Sequence, residues 1–374
     1  MIYLDSAATT FQKPASVAQA VESAFHTMSS PGRGGYAEAM NAADTVFNCR
    51  STLAELYGLE DPGRVVFTMN ATHGLNLAIK SLVPPGGRAV ISGWEHNAVT
   101  RPLRALGARV SVATGTLFDK ESVLYAFRRL IKPGVHAVIC THVSNVFGFI
   151  LPIEEIAALC RSQGVPLIID ASQSAGCLPL DMKRLKADFV AMPGHKGLYG
   201  PQGTGVLLCG REQVRTLLEG GTGSLSLQQE MPDFLPDRLE AGTHNVPGIA
   251  GLLAGVEYVR ERGQTQILAY ERQLITLLSD GLQGIKGTRV YRGEDAQTGV
   301  LSFTIDGRDV EGIAAALAEK GIALRAGLHC APLAHTSAET IKTGTLRVSV
   351  SDFNTSSEIF RFLNAVEDIL DGIF

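Results

Sequence analysis

From residue 62 to about 210, short apolar runs alternate with segments whose apolar residues recur every three or four positions. The runs RVVFT (64–68), RAVISG (88–93), RVSVA (109–113), HAVICTH (136–142), VPLIIDA (165–171), DFVAM (188–192) and GTGVLLC (203–209) predict seven strands. Between them ATHGLNLAIKSL, FDKESVLYAFRRLI and LPIEEIAALCRSQG predict helices, the last with Pro152 near its start and Gly164 just past its end. Continuous rather than alternating apolar strands mean burial on both faces. The pattern therefore predicts an α/β fold, with a mostly parallel seven-stranded sheet flanked by helices. In such sheets ligands sit at the carboxyl ends of the strands. That rule gathers Thr72 after the first strand, His96 after the second and Asn145 after the fourth. It adds Asp170 and Gln173 after the fifth, and Lys196 after the sixth.

A second unit follows the glycine-containing stretches GGTGSLS (220–226) and LEAGTHNVPG (239–248). Two helical patterns, 248–262 and 264–285, lead into a smaller α+β segment. Its expected strands are 288–292, 298–305, 322–326 and 345–351, with helices near 309–320 and 355–371. The expected division is a large unit over 15–250 and a small C-terminal unit over 251–374, joined by the N-terminal segment 1–14.

The chain has 374 residues, 45% of them hydrophobic and 19% charged, which is the make-up of a globular protein with more than one domain. A net charge of −4 gives nucleic acid no support as a partner. No apolar run approaches the ~20 residues of a membrane span. MIYLDSAATT lacks the regions of a signal peptide, so a cytoplasmic protein is expected. The six cysteines show no CxxC and no regular spacing, which argues against a disulfide framework or a structural zinc site, and no metal is expected. Cys140 and Cys209 fall inside apolar runs. Cys330, in RAGLHCAP, falls in a loop.

The chemistry centres on GHKG (194–197). A lysine among glycines implies a backbone that bends sharply or comes close to something else. An aspartate ending a buried strand, as Asp170 does, is costly to ionise unless a cation meets it. A lysine and an aspartate at neighbouring strand ends suit pyridoxal 5′-phosphate: the lysine forms a Schiff base, and the carboxylate keeps the pyridine nitrogen protonated. Thr72, opening a helix, and His195 are candidate phosphate donors, and His96 is placed to lie over the ring. No GxGxxG follows the first strand, and no loop ends in GK[ST], so dinucleotide and P-loop sites are disfavoured.

The motifs YLDSAATT (3–10), EHNA, THVSNVFG (141–148), IIDASQSAG (168–176), GHKGLYGPQGTG (194–205), LEAGTHN (239–245) and RAGLHCAP (325–332) span essentially the whole chain. In them it resembles the fold-type I, class V aminotransferase-like enzymes, and among these the cysteine desulfurases and selenocysteine lyases. The resemblance implies a homodimer in which Lys196 is the Schiff-base lysine and Asp170 pairs with the pyridine nitrogen. Gln173 would bond the ring hydroxyl and His96 would stack on the ring. Thr72, His195 and the position of Ala71 would serve the phosphate, with Thr243 supplied by the other subunit. Asn145 and Arg347, with Arg325, would hold the substrate. Cys330 would be the nucleophile that takes sulfur from L-cysteine, or selenium from L-selenocysteine, before an acceptor protein or thiol removes it. Positive charge from Arg325 or His329 is expected beside its thiolate.

The sequence departs from the family pattern at Ala71 and Pro193, where hydroxyl residues are common, at His73, where an acid is common, and at Leu328, where a histidine is frequent. An aminotransferase or β-eliminating lyase without persulfide chemistry is the enzymatic alternative. A sulfur carrier or metal-binding protein using Cys330, His329 and His335 is the alternative from another class.

Overall fold

The computed structural model describes residues 1–31 and 34–372. The chain opens on a two-residue strand, β1 (Ile2–Tyr3), and two helices, α1 (Ala15–Thr27) and α2 (Ala37–Leu56). Neither helix is among the elements read above. Yet α2 buries Ala39, Ala42, Val46, Cys49 and Leu53, a three-and-four spacing that turns one face inward.

The alternating region then supplies β2 (Val65–Thr68), α3 (Ala71–Leu82), β3 (Arg88–Ser92), α4 (Asn97–Ala105), β4 (Arg109–Ala113) and α5 (Lys120–Leu130). It continues with β5 (Ala137–Thr141), α6 (Ile153–Gln163), β6 (Leu167–Asp170), α7 (Met182–Leu185), β7 (Phe189–Pro193) and β8 (Gly205–Cys209). All seven expected strands join one sheet, in the order β2-β8-β7-β6-β5-β3-β4. The β8 strand runs antiparallel to both neighbours, and the remaining pairs are parallel. Strands β5 to β8 are buried along their whole length, as their unbroken apolar runs require. Gly164 closes α6 in the left-handed conformation at φ 63°. Register sets Thr141 opposite Asp170 and Asp170 opposite Ala191, so β5, β6 and β7 end nearly in line.

The rest of the chain forms α8 (Val246–Arg262), α9 (Gln264–Gly284), β9 (Thr288–Tyr291), β10 (Val300–Ile305), α10 (Val310–Glu319) and β11 (Ile322–Ala323). It ends with β12 (Arg325–Gly327), α11 (Pro332–Ser337), β13 (Thr345–Ser349) and α12 (Ser356–Asp371). A four-stranded antiparallel sheet has the order β12-β13-β10-β9. The expected single strand 322–326 divides: β11 pairs in parallel with β1, and β12 pairs with β13. Val246, Ile249, Leu252 and Val256 of α8 lie in the core around the large sheet. Leu274, Leu278 and Leu282 of α9 lie in a second core with Ile2 and Leu4. A division at 250/251 therefore falls inside α8, and the change of core comes near Gly263.

Candidate active site

The strand ends face a cavity of about 210 Å³, whose walls include Ala71, Thr72, His96, Asn145, Asp170, Gln173, His195, Lys196, Arg325 and Arg347. All six residues gathered by the carboxyl-end rule border this cavity, as do ten of the twelve expected site residues in all. Cys330 and Thr243 are not among the lining residues.

Lys196 follows β7 in a loop packed tightly against its surroundings. A Cβ on Gly197 would meet the Ala175 carbonyl oxygen at 2.3 Å, and one on Gly255 of α8 would meet the Leu198 carbonyl oxygen at 2.2 Å. Close approach of protein backbone by itself requires glycine at 197. Burial, opposed by Asp170, lowers the Lys196 amine to about 8. Asp170 is 2% exposed and accepts a hydrogen bond from the Ser172 N–H at 2.9 Å. Lys196 and Asp170 sense each other's charge, yet no ion pair joins them among the described residues.

His96 is not a loop residue but the N-cap of α4, where its Nδ1 accepts from the Ala98 N–H at 3.0 Å. The short polar stretch that follows, with Pro102 inside it, hides this helix from a periodicity reading. Burial lowers the pKa of His96. His195 is held down to about 4 by burial, then by Lys196 and Lys13, so it is neutral at pH 7. Its Nδ1 lies 3.1 Å from the Thr9 hydroxyl. Thr72 sits at the start of α3, where Asn70 caps the helix through the His73 N–H at 2.9 Å. Gln173 donates to the Ala7 carbonyl at 2.9 Å.

Arg325 and Arg347 stand directly opposite each other on β12 and β13, a like-charge pairing that disfavours the sheet unless anions neutralise it. Asp5 supplies one such charge, binding Nη2 of Arg347, while Nη1 donates to the Asn145 carbonyl at 3.0 Å. Nε of Arg347 is buried without a partner, a condition that costs about 1–3 kcal/mol if nothing answers it. Asp5 lies in YLDSAATT, but a sequence alone does not show that residues 342 positions apart will meet. Asp5→Asn keeps an acceptor and removes the charge. It is expected to raise KM about tenfold with kcat nearly unchanged, since a charge-assisted bond contributes about 1.5–3 kcal/mol. Steady-state kinetics check this, and a fall in kcat at constant KM would contradict it.

Cys330 is the exposed one of six free cysteines. It and His329 both adopt left-handed backbone conformations, at φ 57° and 51°. The loop is held by the Asn97 N–H, which donates to the Cys330 carbonyl at 2.8 Å, and by Asn145 Nδ2, which donates to the His329 carbonyl at 2.8 Å. Of the two expected cations, Arg325 fits: its Nη2 lies 3.7 Å from the Cys330 sulfur. His329 does not. It is buried and pushed down to about 2 by that burial, and its Nδ1 faces His335 Nε2 at 3.4 Å. Thr243 is exposed and borders a different cavity, with Met69, His73 and Asn245.

The class-V aminotransferase family model matches residues 2–362. The chain belongs to this family. Among class-V relatives, cysteine desulfurase CsdA of Escherichia coli is 33% identical, covering 99% of this chain and 94% of that one. A probable cysteine desulfurase of Xylella fastidiosa strain 9a5c is 33% identical over 98% of this chain and 90% of its own. The chain spans 56% of the length of a longer probable cysteine desulfurase from Mycolicibacterium paratuberculosis. An apo cysteine desulfurase structure from Thermococcus onnurineus superposes with a TM-score of 0.91 at 30% identity, over 99% of this chain and 95% of that one. CsdA in an S-sulfonic acid form gives 0.87 at 30% identity, over 100% and 95%. The class-V fold is thus shared along essentially the whole chain. Among the described residues, no helix is long and apolar enough to cross a membrane.

Proposed function

We propose that the chain is a pyridoxal 5′-phosphate-dependent cysteine desulfurase. The observation that carries this reading is that buried Asp170 and half-buried Lys196 border one cavity without an ion pair between them among the described residues. A buried carboxylate held by a neutral N–H calls for a cation, and Asp170 would hold a protonated pyridine nitrogen while Lys196 would meet the other end of the ring. The other walls fit the same molecule. His195 and the start of α3 at Thr72 suit the phosphate, with Ala71 offering backbone only, and Gln173 and His96 suit the ring. Pyridoxal phosphate supplies an electron sink that makes the substrate α-proton removable and the Cβ–S bond breakable.

The chain's own residues do the rest. Arg347 receives the substrate carboxylate through its unpartnered Nε, with Asn145 beside it. The Lys196 amine, lowered to about 8, would hold the cofactor through its aldehyde end and is the group placed to take and return the substrate α-proton. Nη2 of Arg325 stands 3.7 Å from the Cys330 sulfur, placed to donate to it. The Cys330 thiolate attacks the substrate sulfur: the Cβ–S bond breaks and an S–S bond forms. L-Cysteine and the Cys330 thiol become L-alanine and a Cys330 persulfide. L-Selenocysteine fits the same groups. Exposure of Cys330 lets an acceptor protein or thiol reach the persulfide.

The same reading makes the enzyme a cytoplasmic homodimer in which Thr243 of the partner subunit completes the phosphate site. In its support, Thr243 lies away from its own chain's cavity, and Phe11, Phe25, Phe47, Met69 and Leu227 are exposed apolar side chains that a second subunit would cover. The experiment is incubation with L-cysteine and a reductant. Alanine and sulfide in equal amounts are expected, and pyruvate in place of alanine would mean β-elimination.

A further inference from the structure

Glu95 lies between β3 and α4, directly before His96, and is wholly buried. Its Oε1 accepts from the Ser92 hydroxyl and from the Thr141 backbone N–H, the latter at 2.7 Å. Oε2 is equally buried and has no partner. This one carboxyl thus reaches from the turn that carries His96 to the end of β5, where Thr141 borders the cavity and stands opposite Asp170.

The titratable groups facing Glu95 are Cys140 from β5 and Asp170 from β6, and among the described residues no cation pairs with it. Two carboxylates crowded into one buried place do not both ionise. Asp170 has the field of Lys196 and opens on the cavity, whereas Glu95 has neither. Burial, opposed by its hydrogen bonds and reinforced by Asp170, pushes Glu95 up to about 8.

We propose that Glu95 is a positioning residue for the cofactor slot: its carboxyl ties the His96 turn to the strand end beside Asp170. The proposal rests on reading the cavity as a pyridoxal phosphate site. It has a consequence that needs no turnover to observe. An unfolded chain releases this proton at about 4.3, while the folded chain keeps it to about 8. The folded form therefore binds more protons between those values. Its stability is full below that window, declines as pH rises through it, and levels off above.

The test is denaturant unfolding of the cofactor-free protein at pH 6, 7 and 8, with cofactor binding followed by absorbance, for wild type, Glu95→Gln and Glu95→Ala. The wild-type unfolding constant is expected to rise relative to that of Glu95→Gln by about tenfold per pH unit, the effect of one proton. Glu271, also buried and raised to about 8, titrates alike in both proteins and cancels. Glu95→Gln should hold the cofactor within a few-fold of wild type at pH 7. Glu95→Ala, which cuts the tie to Thr141, should hold it at least tenfold more weakly. Parallel pH dependences would overturn the proposal, as would cofactor affinity unchanged in Glu95→Ala. Should Glu95→Ala fail to fold, the Glu95→Gln comparison decides. A wild type that takes up no cofactor overturns the reading of the cavity and the positioning role with it. Wild-type binding with parallel slopes overturns the role alone.

Discussion

Lys196→Ala is expected to lose both cofactor retention and turnover, with alanine formation from L-cysteine down by about 10⁴ or more, because two separate duties end together. The amine is the group in the cavity that can bond the cofactor's aldehyde carbon, and it is also the base nearest to Asp170's field. The fold should survive. Removing an amine whose protonation desolvation already disfavours relieves that cost, and it breaks no ion pair among the described residues. Purified wild type should show a visible absorption band that the variant lacks at equal folded content by circular dichroism. A variant that keeps the band and the activity would place the chemistry elsewhere.

Cys330→Ala has a different signature. The exposed thiol carries no packing, so stability and cofactor content should stay at wild-type levels, while alanine formation falls by at least about 10³ because the attacking group is gone. The left-handed backbone at 329 and 330 makes alanine no worse than cysteine there, since both carry a Cβ. Unchanged alanine formation would leave a class-V enzyme without persulfide chemistry. Arg325→Ala should lie between Cys330→Ala and wild type, because it removes the guanidinium 3.7 Å from the sulfur but not the sulfur.

Much of this arrangement can be read from residue order, for a physical reason. Strands buried on both faces carry unbroken apolar runs, and the exposed edge strand β4 keeps alternating valines, so all seven strands of the large sheet are legible, and with them the edge where Thr72, His96, Asn145, Asp170 and Lys196 gather. What local pattern does not carry is pairing between distant segments. The run 322–326 looks like one strand because nothing in it says that Ile322 pairs with Ile2 while Arg325 pairs with Arg347. For the same reason nothing in YLDSAATT or EHNA assigns a role to Asp5 or Glu95. His329 looked like a cation because histidine beside cysteine suggests one, but burial keeps it neutral. Thr243 follows a different logic: its assignment depends on a second chain.

The most direct measurement is a single turnover without reductant, in which L-cysteine is mixed with excess enzyme, free alanine is counted, and the protein is mapped by mass spectrometry. One alanine per sulfur atom added, with that sulfur on the peptide carrying Cys330, is the predicted result. Alanine released with no sulfur on Cys330, or sulfur on a buried cysteine instead, would contradict the account.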